Sequence, residues 1–243
     1  MGTDRKAVSF SEDVVSLVDL LQREGVSLRD SAVDRLASLS CTIEHWNKAV
    51  NLVSRQDIGR LVSYHFCDSA SLLPIMRPAR EIDVLDVGGS NGLPGLVLAS
   101  LSPYVRVLIC DSRKKRQTFL EQACKDFGGV VSFKVARVDG KAFQDEYAAM
   151  FDLIVARAVT KLRHLLRWCM PLLKPGGCLA AYKGSRCLEE VRQAESYIWA
   201  HGGVLVTILR SPWADRCNSM RLFAIVKTMG QWCEQEVGMW ERS

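Results

Sequence analysis

Ile82-Asp83-Val84-Leu85-Asp86-Val87-Gly88-Gly89-Ser90-Asn91-Gly92-Leu93-Pro94-Gly95 is a short apolar run that meets an acid and enters a glycine-rich turn. The run is β-branched and too short for a core helix, so it reads as a buried strand. The apolar segment 93–101 after the turn reads as a helix with Pro94 just inside it. Glycines at such a junction let the backbone approach a ligand closely, and a helix start offers unpaired N–H groups. The pattern fits a nucleotide-type ligand loop, and many α/β folds turn sharply at such a place.

Working outward, strand-like runs recur at 82–87, 105–110, 130–135, 151–156, 177–182, 203–209 and 220–227. Helix-like segments at 93–101, 113–127, 161–173 and 187–200 separate most of them. This alternation predicts a mostly parallel sheet with helices on both faces. Upstream, residues 11–73 carry apolar positions at helical spacing (Val14, Val15, Val18, Leu21; then Val33, Leu36, Leu39, Ile43, Trp46), broken at Gly25 and near Asn51. A helical N-terminal region, residues 1–78, is therefore expected before a main domain at 79–243.

Composition narrows the function classes. At 48% hydrophobic and 24% charged residues, 243 residues can bury one substantial core. No run of about 18 uncharged apolar residues occurs and Met1–Asp13 has no signal-peptide core, so a soluble, cytoplasmic protein is expected. The nine cysteines are odd in number and include no C-x-x-C pair, which points to reduced packing thiols and to no metal site. A net charge of +5 permits a polyanionic partner without requiring one.

In a doubly wound sheet the ligand lies at the carboxyl ends of the strands. The second strand ends at Asp111, 23 residues after Gly88, where an acid can accept hydrogen bonds from ribose hydroxyls. Asp111 or Ser112 could equally cap the helix beginning near Arg113. The two roles are compatible.

The glycine loop, Asp111 and the strand pattern together resemble a class I S-adenosylmethionine-dependent methyltransferase, with a Rossmann-like seven-stranded sheet. Further segments resemble the RsmG (GidB) family, which methylates N7 of a guanine in small-subunit (16S) ribosomal RNA. They are Trp46–Leu52, His65–Ser69, Asp86–Gly95, Asp111–Arg116, Ala136–Asp139, Ala156–Ala158 and Tyr182–Gly184, in the family's order.

The resemblance implies roles. Gly88 and Leu93 would line the methionine and adenosine parts of S-adenosylmethionine, Asp111 and Ser112 would hold the ribose, and Val138 and Asp139 would flank the adenine. Asp139 replaces a more usual Glu and is one methylene shorter. Arg157, at the end of the fourth strand, would sit beside cofactor and target base, or form an ordinary ion pair. Arg113, Lys114, Lys115, Arg116, Arg163, Arg167, Lys183 and Arg186 gather near the expected ligand edge. Arg113, Lys114 and Lys183 from this set, together with Arg157, are the expected RNA contacts, with Tyr182 as stacking aromatic. Guanine N7 has a lone pair and no proton to lose, so no general base is expected, and in-line placement would supply most of the acceleration. The expected substrate is ribosomal RNA, free or in an assembling subunit, and the enzyme would be a bacterial monomer.

Ser90 stands where the family usually has glycine, which places a Cβ near the cofactor and leaves open an RNA-binding protein with a disabled loop. Gly88-Gly89-Ser90-Asn91-Gly92 also satisfies the G-x-S-x-G of an α/β-hydrolase nucleophile elbow. That reading lacks an upstream oxyanion loop and has only His164 and His201 downstream. Asn91 is expected to ease the turn by tolerating left-handed angles.

Overall fold

A computed structural model describes residues 3–210 and 222–228. Helices α1 (Thr3–Arg23) and α2 (Ala32–Val50) open the chain, followed by a 3-10 turn, a π-helical turn (Leu61–Phe66) and two single-turn helices, α3 (Cys67–Ala70) and α4 (Leu73–Met76). Strand β1 is Ile82–Val87 and is followed by α5 (Gly95–Leu101). Next come β2 (Val105–Asp111), α6 (Gln117–Lys125), β3 (Val131–Val135), α7 (Lys141–Glu146) and β4 (Phe151–Arg157). Helix α8 (Leu162–Cys169), β5 (Leu173–Lys183), α9 (Cys187–Ala200), β6 (Gly203–Arg210) and β7 (Leu222–Thr228) complete the described fold.

The seven strands form one sheet in the order β3-β2-β1-β4-β5-β7-β6. Pairings among β1 to β5 are parallel, and β7 runs antiparallel to both β5 and β6. The order reverses direction between β1 and β4, which opens the crevice where such sheets take ligands. Strand side chains alternate between faces. In β4, Leu153 and Val155 face the core shared with α1, α2, α5 and α6, whereas Ile154 and Ala156 face α7, α8 and α9.

Every residue of α5 is buried, because it lies between the sheet and the N-terminal helices and is apolar all round apart from Ser100. Ser100 Oγ donates to the Leu96 carbonyl, which satisfies the hydroxyl locally. The N-terminal helices are fastened to this layer by Arg29, whose Nε donates to the Ala99 and Ser102 carbonyls at 3.1 and 3.0 Å.

Several boundaries differ from the sequence reading. Pro94 sits at the N-cap and α5 begins at Gly95, after a tight turn closed by the bond from Gly92 N to Gly89 O. The helix expected at 113–127 is a 3-10 turn over Lys114–Arg116 followed by α6, because Asp111 Oδ1 holds Arg113 N at 2.7 Å and Arg113 is extended. Within the segment 161–173, α-helix stops at Cys169 and gives way to a 3-10 turn over Met170–Leu172, where Pro171 has no N–H with which to extend the α-helical ladder. Strand β5 starts four residues earlier than expected, through an irregular pairing of Phe151 with Leu173. Helix α7 is six residues long and buries only Phe143, too little for a periodicity to be seen. Val15, expected on the apolar face of α1, is exposed. Residues 220–221 of the seventh run lie outside the described residues, as do Cys217 and Cys233. The seven described cysteines are free thiols, five of them buried.

Candidate functional site

Gly88 leaves the end of β1 with φ +75°, a conformation natural to glycine. A Cβ there would lie 2.7 Å from Val159 Cγ2, so the absent side chain keeps open a cavity of about 200 Å³. The cavity lies at the carboxyl ends of β1 to β4 and is lined by Gly88, Asp111 to Arg113, Ala136 to Asp139, Ala158, Val159 and Trp168, with Val87 and Cys110 beneath.

Beneath the loop, Asp86 is fully buried. Its Oδ2 accepts the Gly95 N–H at 2.7 Å, satisfying one orphan donor of α5. Gly95 is required here, because a Cβ would stand 2.8 Å from that oxygen. Burial raises the Asp86 carboxyl to about 7, against the lowering pull of the Gly95 bond and Arg157. Its Oδ1 has no hydrogen-bond partner among the described residues, an arrangement that suits a protonated carboxyl.

Asp111 is almost fully buried, and its side chain accepts one hydrogen bond among the described residues, from Arg113 N to Oδ1. It therefore caps the following turn while lining the cavity. Cys110 is no nucleophile, since burial holds its thiol up at about 12. At the far wall Arg137 grips Asp139 with two bonds of 3.1 and 2.8 Å, and this bonding holds the Asp139 carboxyl below its usual range. Gln144 of α7 donates to the carbonyls of Val138 and Trp168 at 2.6 and 2.9 Å, so one amide fixes both the β3 turn and the end of α8.

The structure thus brings Gly88, Asp111, Ser112, Val138, Asp139 and Arg113 to one cavity. Leu93 is buried in the core and does not line it. Arg157 also turns away: Nη1 meets Asp68 Oδ2 at 3.1 Å, with side chains only 8% and 1% exposed. Lys183 is buried, with Nζ donating to Thr160 O and Glu190 Oε2, both at 2.7 Å. Its ammonium joins the ends of β4 and β5 to α9 instead of facing a polyanion. Tyr182 is no stacking platform, because its ring is buried and its hydroxyl donates to Ser69 O at 2.8 Å. Lys114 lies exposed beside the cavity rim. Trp168 was missed, and its position on a strongly amphipathic helix gave no sign that one edge meets the cavity.

Ser90 does not project into the cavity. Its Oγ accepts from Arg116 Nη1 at 2.7 Å and it is 3% exposed. Among the described residues no hydrogen bond joins it to a histidine, so the hydrolase reading lacks its base, and the loop is not blocked by the extra Cβ. Asn91 keeps an ordinary negative φ, and the left-handed positions fall on Gly88 and Gly92. Asn91 serves otherwise, with Oδ1 accepting Leu93 N at 3.2 Å.

The family described as rRNA small subunit methyltransferase G matches residues 33–215. Among proteins of that name, the one from Acetivibrio thermocellus is 33% identical over 186 residues, covering 76% of both chains. That from Chlorobium limicola is 33% identical over 199 residues, covering 82% of this chain and 88% of its own. Solved structures share the fold at much lower identity. The [4+2]-cyclase SpnF has a TM-score of 0.52 at 14% identity, covering 81% of this chain and 93% of its own. A branched-chain polyamine synthase mutein from Thermus thermophilus, in complex with N4-aminopropylspermidine and 5'-methylthioadenosine, also scores 0.52 at 14%, covering 79% and 63%. Neither protein's name describes a methyl transfer, so the fold alone does not fix the reaction.

Proposed function

Since the chain belongs to the rRNA small subunit methyltransferase G (GidB) family, we propose that it transfers the methyl group of S-adenosylmethionine to N7 of a guanine in small-subunit ribosomal RNA. The observation that carries the reading is the cavity at the carboxyl ends of β1 to β4, with Gly88 at its mouth and Asp111 on its wall. The residues suit an adenosine-bearing ligand. Gly88 offers space that a Cβ would fill, Asp111 keeps Oδ2 for a ribose hydroxyl, and Val138, Ala158 and Val159 give apolar walls for a purine.

In this reading Gly88 receives the methionine part, Asp111 and Ser112 hold the ribose, and Val138 and Asp139 border the adenine. With its carboxylate gripped by Arg137, Asp139 serves the adenine mainly through its backbone. S-adenosylmethionine supplies a methyl group already activated on a sulfonium. The chain's own task is to orient the acceptor nitrogen in line with that methyl and to exclude water. No side chain needs to remove a proton, because guanine N7 carries none. Arg113 and Lys114 meet RNA phosphates beside the cavity. Arg157 and Lys183, both engaged in buried ion pairs, position the strand ends instead.

Residues 79–243 form the methyltransferase domain and 1–78 its helical extension, in a monomer of the bacterial cytoplasm. No helix among the described residues is long and apolar enough to cross a membrane. The test is incubation of the protein and labelled S-adenosylmethionine with small-subunit RNA from cells lacking the enzyme, followed by nucleoside analysis. Label in N7-methylguanosine supports the proposal. Label elsewhere, or none in either free RNA or assembled subunits, refutes it.

A further inference from the structure

Ser90 is the one loop residue that departs from the glycine expected there, and its hydroxyl has a specific use. Arg116 spans two distant pieces of chain: Nη1 donates to Ser90 Oγ at 2.7 Å and Nη2 donates to the Asn51 carbonyl at 2.9 Å. Asn51 caps the end of α2 with φ 45°, a left-handed geometry that leaves helix-terminal carbonyls in need of donors. A guanidinium at that end satisfies one of them and opposes the negative end of the helix dipole. The neighbouring contacts run the same way. Asn91 Nδ2 reaches Leu52 O at 3.4 Å, and Asn47 Oδ1 accepts Val53 N at 2.9 Å. Leu52 and Val53 are buried, and Trp46 of α2 meets Phe119 of α6 edge-on at 6.3 Å.

From this clasp we infer that Arg116 and Ser90 are positioning residues: together they pin segment 51–53 onto the glycine loop and so fix Gly88 for the cofactor. The inference rests on the proposed use of the cavity for S-adenosylmethionine. Ser90 is two residues from Gly88, so a slip of its anchor moves the cavity mouth directly. Arg116 consequently belongs to the loop and not to the phosphate-binding set with Arg113 and Lys114. Lysine does not reproduce the clasp, since its one nitrogen would have to lie within hydrogen-bond distance of both acceptors at once, whereas Nη1 and Nη2 of the planar guanidinium reach Ser90 Oγ and Asn51 O separately.

The test uses Ser90→Ala, Ser90→Gly, Arg116→Ala and Arg116→Lys in the full chain. Hydrogen exchange of the unliganded proteins is expected to speed up in both 51–53 and 88–92 for Arg116→Ala and for each Ser90 variant. Unchanged exchange in 88–92 overturns the clasp whether or not the protein binds a cofactor. Titration with S-adenosylhomocysteine is expected to show about tenfold weaker binding in Arg116→Ala, no rescue in Arg116→Lys, and a double variant no weaker than the single arginine variant. RNA affinity and its salt dependence should be unmoved. If Arg116→Ala keeps full S-adenosylhomocysteine affinity and loses RNA affinity with a shallower salt slope, Arg116 is a phosphate contact and the inference fails. A wild-type protein that does not bind S-adenosylhomocysteine, yet shows the exchange effects, refutes the cofactor reading and leaves the clasp standing.

Discussion

Asp86 carries a carboxyl held at about 7 where its ordinary value is 3.8, with burial as the main cause. Between about pH 4 and 7 the folded chain binds this proton more tightly than the unfolded chain. Stability from this group therefore falls as pH rises through that window. Asp86→Asn keeps an oxygen for the Gly95 N–H and cannot ionise. Denaturant unfolding of both proteins across the window should show wild type losing stability relative to Asp86→Asn as pH rises, whereas a constant difference would contradict the burial argument. At this scale the sequence was legible where the backbone dictates the residue, as at Gly88 and Asp111. It was not legible where long side chains choose among partners. Arg157, Lys183 and Ser90 each stand at a position that invites a ligand, and each is instead satisfied within the chain: Arg157 and Ser90 by the distant Asp68 and Arg116, and Lys183 by Glu190 on the following helix.

Among elements, β4 is tied to α3 by a buried ion pair. Arg157 and Asp68 are both buried, and His65 beside them is pushed down to about 4, chiefly by burial and then by Arg157. Asp68→Ala strands a buried guanidinium and should cost about 3–5 kcal/mol of stability. Adding Arg157→Met to that variant should recover part of the loss, and chemical denaturation of the three proteins checks it. Equal stability of Asp68→Ala and wild type would show that the pair has little structural weight. The strand runs were readable because apolar β-branched segments between glycine-rich turns leave few alternatives. Short α7 and the split before α6 were not, since they go with side-chain hydrogen bonds that no periodicity records, one to Asp111 from Arg113 N and two from Gln144 to the carbonyls of Val138 and Trp168.

For the whole molecule, charge placement decides how it meets RNA. Arg113 and Lys114 remain exposed at the cavity rim, whereas Lys183 is buried against Glu190. Arg113→Ala and Lys114→Ala should each reduce the slope of log affinity against log salt by about 1. Fluorescence titration at several salt concentrations measures this, and unchanged slopes would move the RNA path elsewhere. The sequence-derived sheet and its helical extension both appear, but the N-terminal helices share the core of one sheet face with α5 and α6. Amphipathic spacing marks which side of a helix is buried without naming the element that buries it.

Calorimetric titration of S-adenosylmethionine into wild type and Asp111→Ala tests the central claim most directly. Loss of a buried charged acceptor is worth about 1.5–3 kcal/mol, so one-site binding to wild type and binding at least about tenfold weaker in a variant of unchanged fold are predicted. Equal affinity in the two proteins, or no binding to wild type, would contradict the assignment of this cavity.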